Sequence, residues 1–472
     1  MKKVISLLLV LCMVFALTAC GDSTTTNDST TDNTAKTEAS ADNNGPAGGE
    51  NARKIYIGTW YESYYTSAHT SIYDNPDVDD VEEAQMQLDN MRAVEAKYGI
   101  ELYYKNLTWN GVIESINTSI MAGKPNCDIY MVDLQFGIPA VLNGYAEDVS
   151  AYITDDDIAL KGFSFTSDGG TYLFKGNTVE LSGYPLGYNK TLLAAAGCED
   201  PYELYQNGEW TWEAWEEMMA KVNDPDNGVY AFRGAWTVLT TALLFSNNAW
   251  IASPDHTDAD GNLVEGLTSQ ATTEVLNEMY KIYKEEGWSF WNDDCNADWN
   301  SNVYAWGSGN AVFFITAAWI NQEADPNQQI DIGVVPWPTG PSVAEGDTVK
   351  QFNQSTGTFY MIPKGIDDPE LVYNVIHDYT QWYGDDISLR DDTEWFEQWM
   401  GGSKANETNF EVLKAMADED SDLGLELWDQ VSFSDEANIC GLISQGSEVE
   451  VSMLIETNKN LVQDYLDKNF NK

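Results

Sequence analysis

Between residues 55 and 132 the chain switches repeatedly between two periodicities, and this limits its folds more than any other feature. Ile55-Tyr56-Ile57-Gly58-Thr59-Trp60 is a short β-prone run opening into a polar, aromatic loop, and residues 82–98 carry a helical repeat that stops at Gly99. Ile100–Tyr104 reads as the next strand, Val112–Met121 as a helix ended by Gly123 and Pro125, and Asp128–Val132 as a third strand. Such alternation predicts a mostly parallel sheet with helices on its faces. Ligands of open α/β sheets sit beyond the carboxyl ends of the strands, where the sequence puts Trp60, Glu62, Asp133 and Gln135.

The amino terminus belongs to none of this. Lys2 and Lys3 precede an apolar run, Val4–Leu17, and then Leu17-Thr18-Ala19-Cys20, the order of a secretory signal peptide. The run is shorter than the about 20 residues needed to cross a bilayer core of ~30 Å. Leu-Thr-Ala-Cys resembles the bacterial lipobox, which implies that Cys20 is acylated and begins the mature protein. Residues 21–52 are rich in Ser, Thr, Asp, Asn, Gly and Ala, too polar to offset chain entropy by burial. They read as a disordered tether averaging roughly 30 Å end to end. Removing the first 52 of 472 residues leaves 420, beyond the ~250–300 at which one core stops growing. Two lobes are therefore expected.

Lys and Arg number 24 against 76 Asp and Glu, a net charge of −52, which repels phosphate backbones and argues against nucleic acid. The acid content reads as solubility for an exported protein. With Cys12 and Cys20 in the leader, Cys127, Cys198, Cys295 and Cys440 remain, and no pair has metal-site spacing. Asp258-Ala259-Asp260-Gly261-Asn262 has the acid density of a calcium loop. However, His256 lies five residues before Gly261, and the twelfth position is Leu267 where a bidentate Glu is required. A tight hairpin fits better, and no metal or cofactor is expected. Trp212 and Trp215, on a helix capped by Thr211, read as core, as do the helical stripe Trp395, Phe396, Trp399 and Met400 and the helical His377.

Several segments, in order over roughly residues 53–380, resemble the family 1 extracellular solute-binding proteins of ABC sugar importers, the maltose-binding type. They are Lys97-Tyr98-Gly99-Ile100 with Trp109; Ile120-Met121-Ala122-Gly123-Lys124-Pro125; Leu186-Gly187-Tyr188-Asn189-Lys190 with Ala196-Gly197, Pro201 and Thr211-Trp212; Gly309-Asn310-Ala311-Val312-Phe313 leading to Trp319; Val334-Val335-Pro336-Trp337-Pro338; and Ile362-Pro363-Lys364 before a helix over 369–383. Asn126-Cys127 departs from the family's more direct Pro-Asp step. The resemblance implies an α/β, two-lobed periplasmic-binding-protein-like fold of type II with a hinge between the lobes. It divides the chain into a signal peptide, 1–20; a tether, 21–52; lobe I, 53–165 plus about 355–395; and lobe II, about 166–354 plus about 396–472.

The implied function is capture of a carbohydrate, in particular an oligosaccharide, by a monomer lipid-anchored at Cys20 to the outer face of a bacterial membrane, and its delivery to an ABC permease. Sugar rings present C–H patches on their faces and hydroxyls at their edges, so their sites need flat aromatics and planar polar groups. Trp60, Trp109, Trp236, Trp250, Trp306 and Trp319 stand in loop-like or strand-end contexts, and with Glu62, Asp133 and Gln135 they form the expected site. Trp319 is carried over by its match to the family segment. No catalytic residue is expected: no H-E-x-x-H, P-loop, G-x-G-x-x-G or G-x-S-x-G is present. The rival readings are a secreted glycoside hydrolase, which needs two carboxylates about 5–10 Å apart, and a glycan-binding adhesin or sensor subunit.

Overall fold

The computed structural model describes residues 52–62, 65–75, 78, 80–153, 162–163, 169–175, 184–289, 310–316, 331–344, 346–347, 359–384, 386–390, 412, 426–430 and 438–471. Its strands are β1 (Arg53–Thr59), β2 (Ile100–Asn106), β3 (Ile129–Val132), β4 (Gly162–Phe163), β5 (Leu173–Lys175), β6 (Leu186–Asn189), β7 (Tyr230–Arg233), β8 (Ala311–Ile315), β9 (Ile332–Val335) and β10 (Phe359–Met361). They form two mixed sheets, β2-β1-β3-β10-β5-β4 and β7-β8-β6-β9.

In the first sheet β1 runs parallel to β2, with Ile55 opposite Leu102, and parallel to β3, with Ile57 opposite Ile129. Ile55, Ile57, Ile100, Leu102 and Ile129 share one buried cluster with Ala84, Leu88, Met91 and Val94 of the helix Val81–Tyr98. That helix starts where Asp80 accepts hydrogen bonds from the Glu82 and Glu83 amides. It ends at Gly99, whose φ of 65° is open to glycine at little cost. On the far side β10 pairs antiparallel with β3 and β5. The boundary expected near residue 165 therefore falls inside this sheet: Phe174 opposes Tyr360, and Leu173–Lys175 becomes part of it.

The second sheet is built around β6, antiparallel to both β8 and β9, with β7 parallel to β8. Two glycines sit beneath the aromatic rings of their register partners, Gly187 under Phe314 and Gly333 under Tyr188, where a Cβ would collide. Against this sheet packs the helix Trp212–Val222, whose start is fixed by Thr211 accepting from the Ala214 amide. Trp215 is fully buried, edge-on to Phe232, Phe313 and Trp337 at 6.0, 6.1 and 6.0 Å between centroids. Trp212 is buried too, as expected. Residues 257–263 form the tight hairpin, Thr257 bridging Leu263 and Asp258 accepting from the Asp260 and Asn262 amides.

The expected helix over 112–121 starts earlier and changes character. Trp109–Ser115 is α-helical and Ile116–Ile120 is a π-helical turn. The stripe 395–400 lies outside the described residues. His377 is half-buried, its Nδ1 3.0 Å from Asp378 and its Nε2 2.8 Å from Gln381, a structural setting.

Candidate functional site

At the carboxyl end of β1 the chain turns sharply, because the Thr59 hydroxyl donates to the Tyr61 carbonyl (2.6 Å) and accepts from the Tyr61 amide (3.1 Å). Trp60 is thereby held against three rings: Tyr61 at 5.4 Å, Trp109 at 4.9 Å and Phe136 at 5.9 Å, inclined by 68°, 77° and 89°. Trp109 also lies on Phe136, 4.4 Å away and tilted by 59°. Despite these contacts Trp109 stays 42% exposed and Tyr61 37%. The result is an aromatic wall with free indole surface beyond the strand ends.

Polar groups border it. Asp133 is buried and caps the helix Leu134–Leu142 by accepting from the Phe136 amide at 3.0 Å, which fixes Phe136 under the two indoles. Gln135 is exposed in the first turn of that helix, and Glu62 is exposed two residues after Trp60. Glu62 acts electrostatically on His69, whose imidazole is held below its ordinary range mainly by burial, with Asp74 and Glu62 pulling the other way. His69 Nδ1 accepts from the Thr66 amide at 3.1 Å.

A second aromatic pair lies on the other sheet's side. Trp236 is the first residue of the helix Trp236–Ser246 and meets Trp428 at 6.0 Å, inclined by 61°. Trp428 lies in a short helix, Leu427–Gln430, that packs against Leu134–Leu142. Phe136 and Trp428 therefore belong to one apolar cluster, with Trp60 and Trp236 packed on it. Trp250 is engaged differently: its ring lies flat on His256 at 3.6 Å and 5°, its Nε1 is buried without a partner, and its carbonyl accepts from the Thr272 hydroxyl. Trp306, Trp319 and Cys20 lie outside the described residues.

The structure thus brings Trp60 and Trp109 together on Phe136, which Asp133 caps, and sets Trp236 on the same apolar cluster, while Glu62 and Gln135 are exposed next to these residues in the chain. Sequence reasoning missed Phe136, Tyr61 and Trp428. Phe136 was signalled by its spacing three residues after a helix-capping Asp; Trp428, amid acidic neighbours, carried no signal. Tyr188 and Asn189 serve the fold: Tyr188 is buried, and Asn189 caps the helix Lys190–Ala195. Among the described residues no group of three His, Cys, Asp or Glu is placed to hold a metal ion, and no helix is long and apolar enough to cross a membrane.

Two mixed sheets, each with its own helices, make a two-lobed periplasmic-binding-protein-like α/β architecture of the second type. The chain belongs to the bacterial extracellular solute-binding protein family, whose model matches residues 84–386. This is a family of extracytoplasmic binding proteins and not of enzymes. The fold is similar to that of a cyclic α-maltosyl-1,6-maltose binding protein from Arthrobacter globiformis, at 15% identity and a TM-score of 0.56 over 88% of this chain and all of that one. It is also similar to an ABC substrate-binding protein from Listeria monocytogenes in complex with cycloalternan and to a cyclo/maltodextrin-binding protein complexed with maltotetraose. Each of these has 15% identity and a TM-score of 0.54, over 89% of this chain and 99% of the other. No curated protein sequence matches the chain.

Proposed function

We propose that the protein captures a carbohydrate, an oligosaccharide, between its lobes and hands it to an ABC permease as a monomer, held at the outer face of the membrane by a lipid on Cys20. The observation that carries this reading is the Trp60–Trp109–Phe136 wall. An indole left 42% exposed on a rigid aromatic base suits the C–H face of a sugar ring, and Gln135 and Glu62 offer the planar polar groups that hydroxyls require. The similar structures bound to maltotetraose and cycloalternan support the same class of ligand. Closure of two lobes surrounds a polar ligand and gives a transporter a shape to read.

Intrinsic fluorescence and calorimetric titration against mono- and oligosaccharides test this. A glycan should quench or shift emission and be recovered intact, and Trp109→Ala should lower its affinity by about 1–2 kcal/mol with little change in melting temperature. The reading fails if no glycan of any length binds, or if the glycan is returned shortened. Cys20→Ala should release the protein from membranes into the medium; retention would remove the anchor.

A further inference from the structure

We propose that Thr108 is the positioning residue of the aromatic wall, holding a backbone conformation proper to glycine in order to seat Trp109 on Trp60 and Phe136; this rests on reading the wall as the glycan-binding surface. Thr108 has φ 64° and ψ 164°. That region is essentially reserved for glycine, and a β-branched residue there is a true outlier. Only two other non-glycine residues among those described have positive φ, Asn248 and Asp368. These are the residue types whose short polar side chains tolerate it.

Helix capping alone does not explain the conformation. Asp80, Asp133, Thr211 and Ser269 each cap a helix by accepting through the side chain, and all do so with extended backbones at φ −114°, −87°, −119° and −69°. That is the ordinary geometry of such a residue. Thr108 accepts from the Gly111 amide as they do, yet departs from them in φ; Asp368 also caps with a positive φ, but as an aspartate in the left-handed helical region at φ 54° and ψ 68°, which that residue type tolerates.

The surroundings give the reason. Leu107 is still tied to the first sheet, its amide donating to the Thr59 carbonyl at 2.7 Å, directly before Trp60. Trp109 is already the first helical residue. One residue must therefore turn the chain from the strand direction into the helix. A positive φ there returns the Trp109 ring over the end of β1, 4.9 Å from Trp60 and 4.4 Å from Phe136. The turn is pinned on both sides, by the Thr108 amide donating to Asn106 Oδ1 (3.3 Å) and the Thr108 carbonyl accepting from the Val112 amide (3.1 Å). Conformational strain retained at such a point is compensated when it pre-organises a binding surface, because the ligand then need not order it.

The test uses the mature protein labelled with 5-fluorotryptophan, the Trp109 resonance being assigned with Trp109→Phe. Thr108→Gly satisfies the same φ and ψ without strain, so it should fold with an unchanged or higher melting temperature. It should also shift or broaden the Trp109 resonance in the unliganded protein and weaken glycan binding by about five- to tenfold. Thr108→Ser, which keeps Cβ and the hydroxyl, should restore both. A Trp109 resonance unmoved and equally sharp in Thr108→Gly overturns the proposal. So does undiminished glycan affinity in Thr108→Gly when Trp109→Ala loses affinity. If Trp109→Ala binds as the parent does, the reading of the wall as the glycan surface falls, and the fluorine spectrum of the unliganded protein still decides whether Thr108 positions the indole.

Discussion

Glu278→Gln should make this protein more stable, and increasingly so as the pH rises. Glu278 lies on the helix Gln270–Tyr280, is 6% exposed, and leaves Oε1 without a partner. Its carboxyl is hydrogen-bonded to Glu216, whose Oε2 is also ion-paired with Lys281 at 2.6 Å. Burial first, and then the neighbouring Glu216, push Glu278 up to about 9. The folded state therefore keeps a proton that the unfolded chain releases near pH 4.5. Because the folded form binds more protons, stability is greatest below that value and falls as pH rises towards 9, by about 1.4 kcal/mol per unit for one proton. At pH 7 the accumulated penalty is on the order of 3 kcal/mol. Glutamine donates to Glu216 without having to hold a proton, so the variant escapes most of that penalty. Denaturant unfolding of parent and variant at pH 5, 6, 7 and 8 measures it. Carboxylates away from the Glu216–Glu278 pair titrate alike in both proteins and cancel, leaving a stability gap that widens with pH. A gap that is constant, or that narrows between pH 5 and 8, would refute the buried, protonated carboxyl.

Trp215→Ala should cost ~3–5 kcal/mol in denaturant unfolding, since the ring is fully buried against Phe232, Phe313 and Trp337, and leave glycan affinity nearly unchanged. Gly187→Ala would set a Cβ 2.3 Å from Phe314 Cε2, so a loss of about 1–3 kcal/mol is expected, read as a lowered melting temperature. Asp133→Asn keeps a side-chain cap for the Phe136 amide, whereas Asp133→Ala removes about 1 kcal/mol of helix stability; if Asp133 acts only as a cap, Asn preserves affinity and Ala lowers it. His69 is held below its ordinary range, so its contribution to stability is present above about pH 6.5 and lost as the pH falls towards its folded value. The protection factor of the Thr66 amide, which donates to His69 Nδ1, should fall over that descent and hold steady from there up to pH 8, once the intrinsic exchange rate at each pH is divided out.

The first lobe was readable wherever short-range rules decide. Gly99 stops its helix because a left-handed residue is needed there, and Asp133 opens the next helix because its carboxylate reaches an amide three residues on. The start of the Trp109 helix was not readable. Gly111 in its first turn argues against a helix, and what overrides that is the turn at Thr108, set by the tertiary bond of Leu107 to Thr59 and the local bond of Thr108 to Asn106. The limits of the first sheet were hidden for a similar reason. Strands β4, β5 and β10 are two or three residues long, too short for a period of two to register, and β5 and β10 join by pairing across nearly two hundred residues. Of the site, the exposed Trp109 and the strand-end Trp60 could be proposed from context. Of their partners, Phe136 was signalled only by its spacing from Asp133 and Trp428 not at all, because both are apolar residues whose role depends on which surfaces the fold brings face to face.

The two sides of the wall are held by different means, and this bears on how the site can open. Trp60 is fixed by a turn at the end of a central strand and Phe136 by a helix cap, so both are extensions of the first sheet. Trp428 is fixed to the second side through Glu426. That buried carboxylate accepts from the amides of Ile251, Ala252 and Trp428 at 2.9, 2.8 and 3.0 Å, while the Leu427 amide donates to the Ala252 carbonyl. Burying a carboxylate is costly, and three backbone donors offset that cost only while all three stay in place. The segment 426–428 is therefore tied by hydrogen bonds to residues 251–252, while on the first side its neighbour is the helix Leu134–Leu142. A displacement of one sheet against the other would leave the Thr59 turn, the Asp133 cap and the bonds of Glu426 to Ile251, Ala252 and Trp428 intact, since each of these lies within one side.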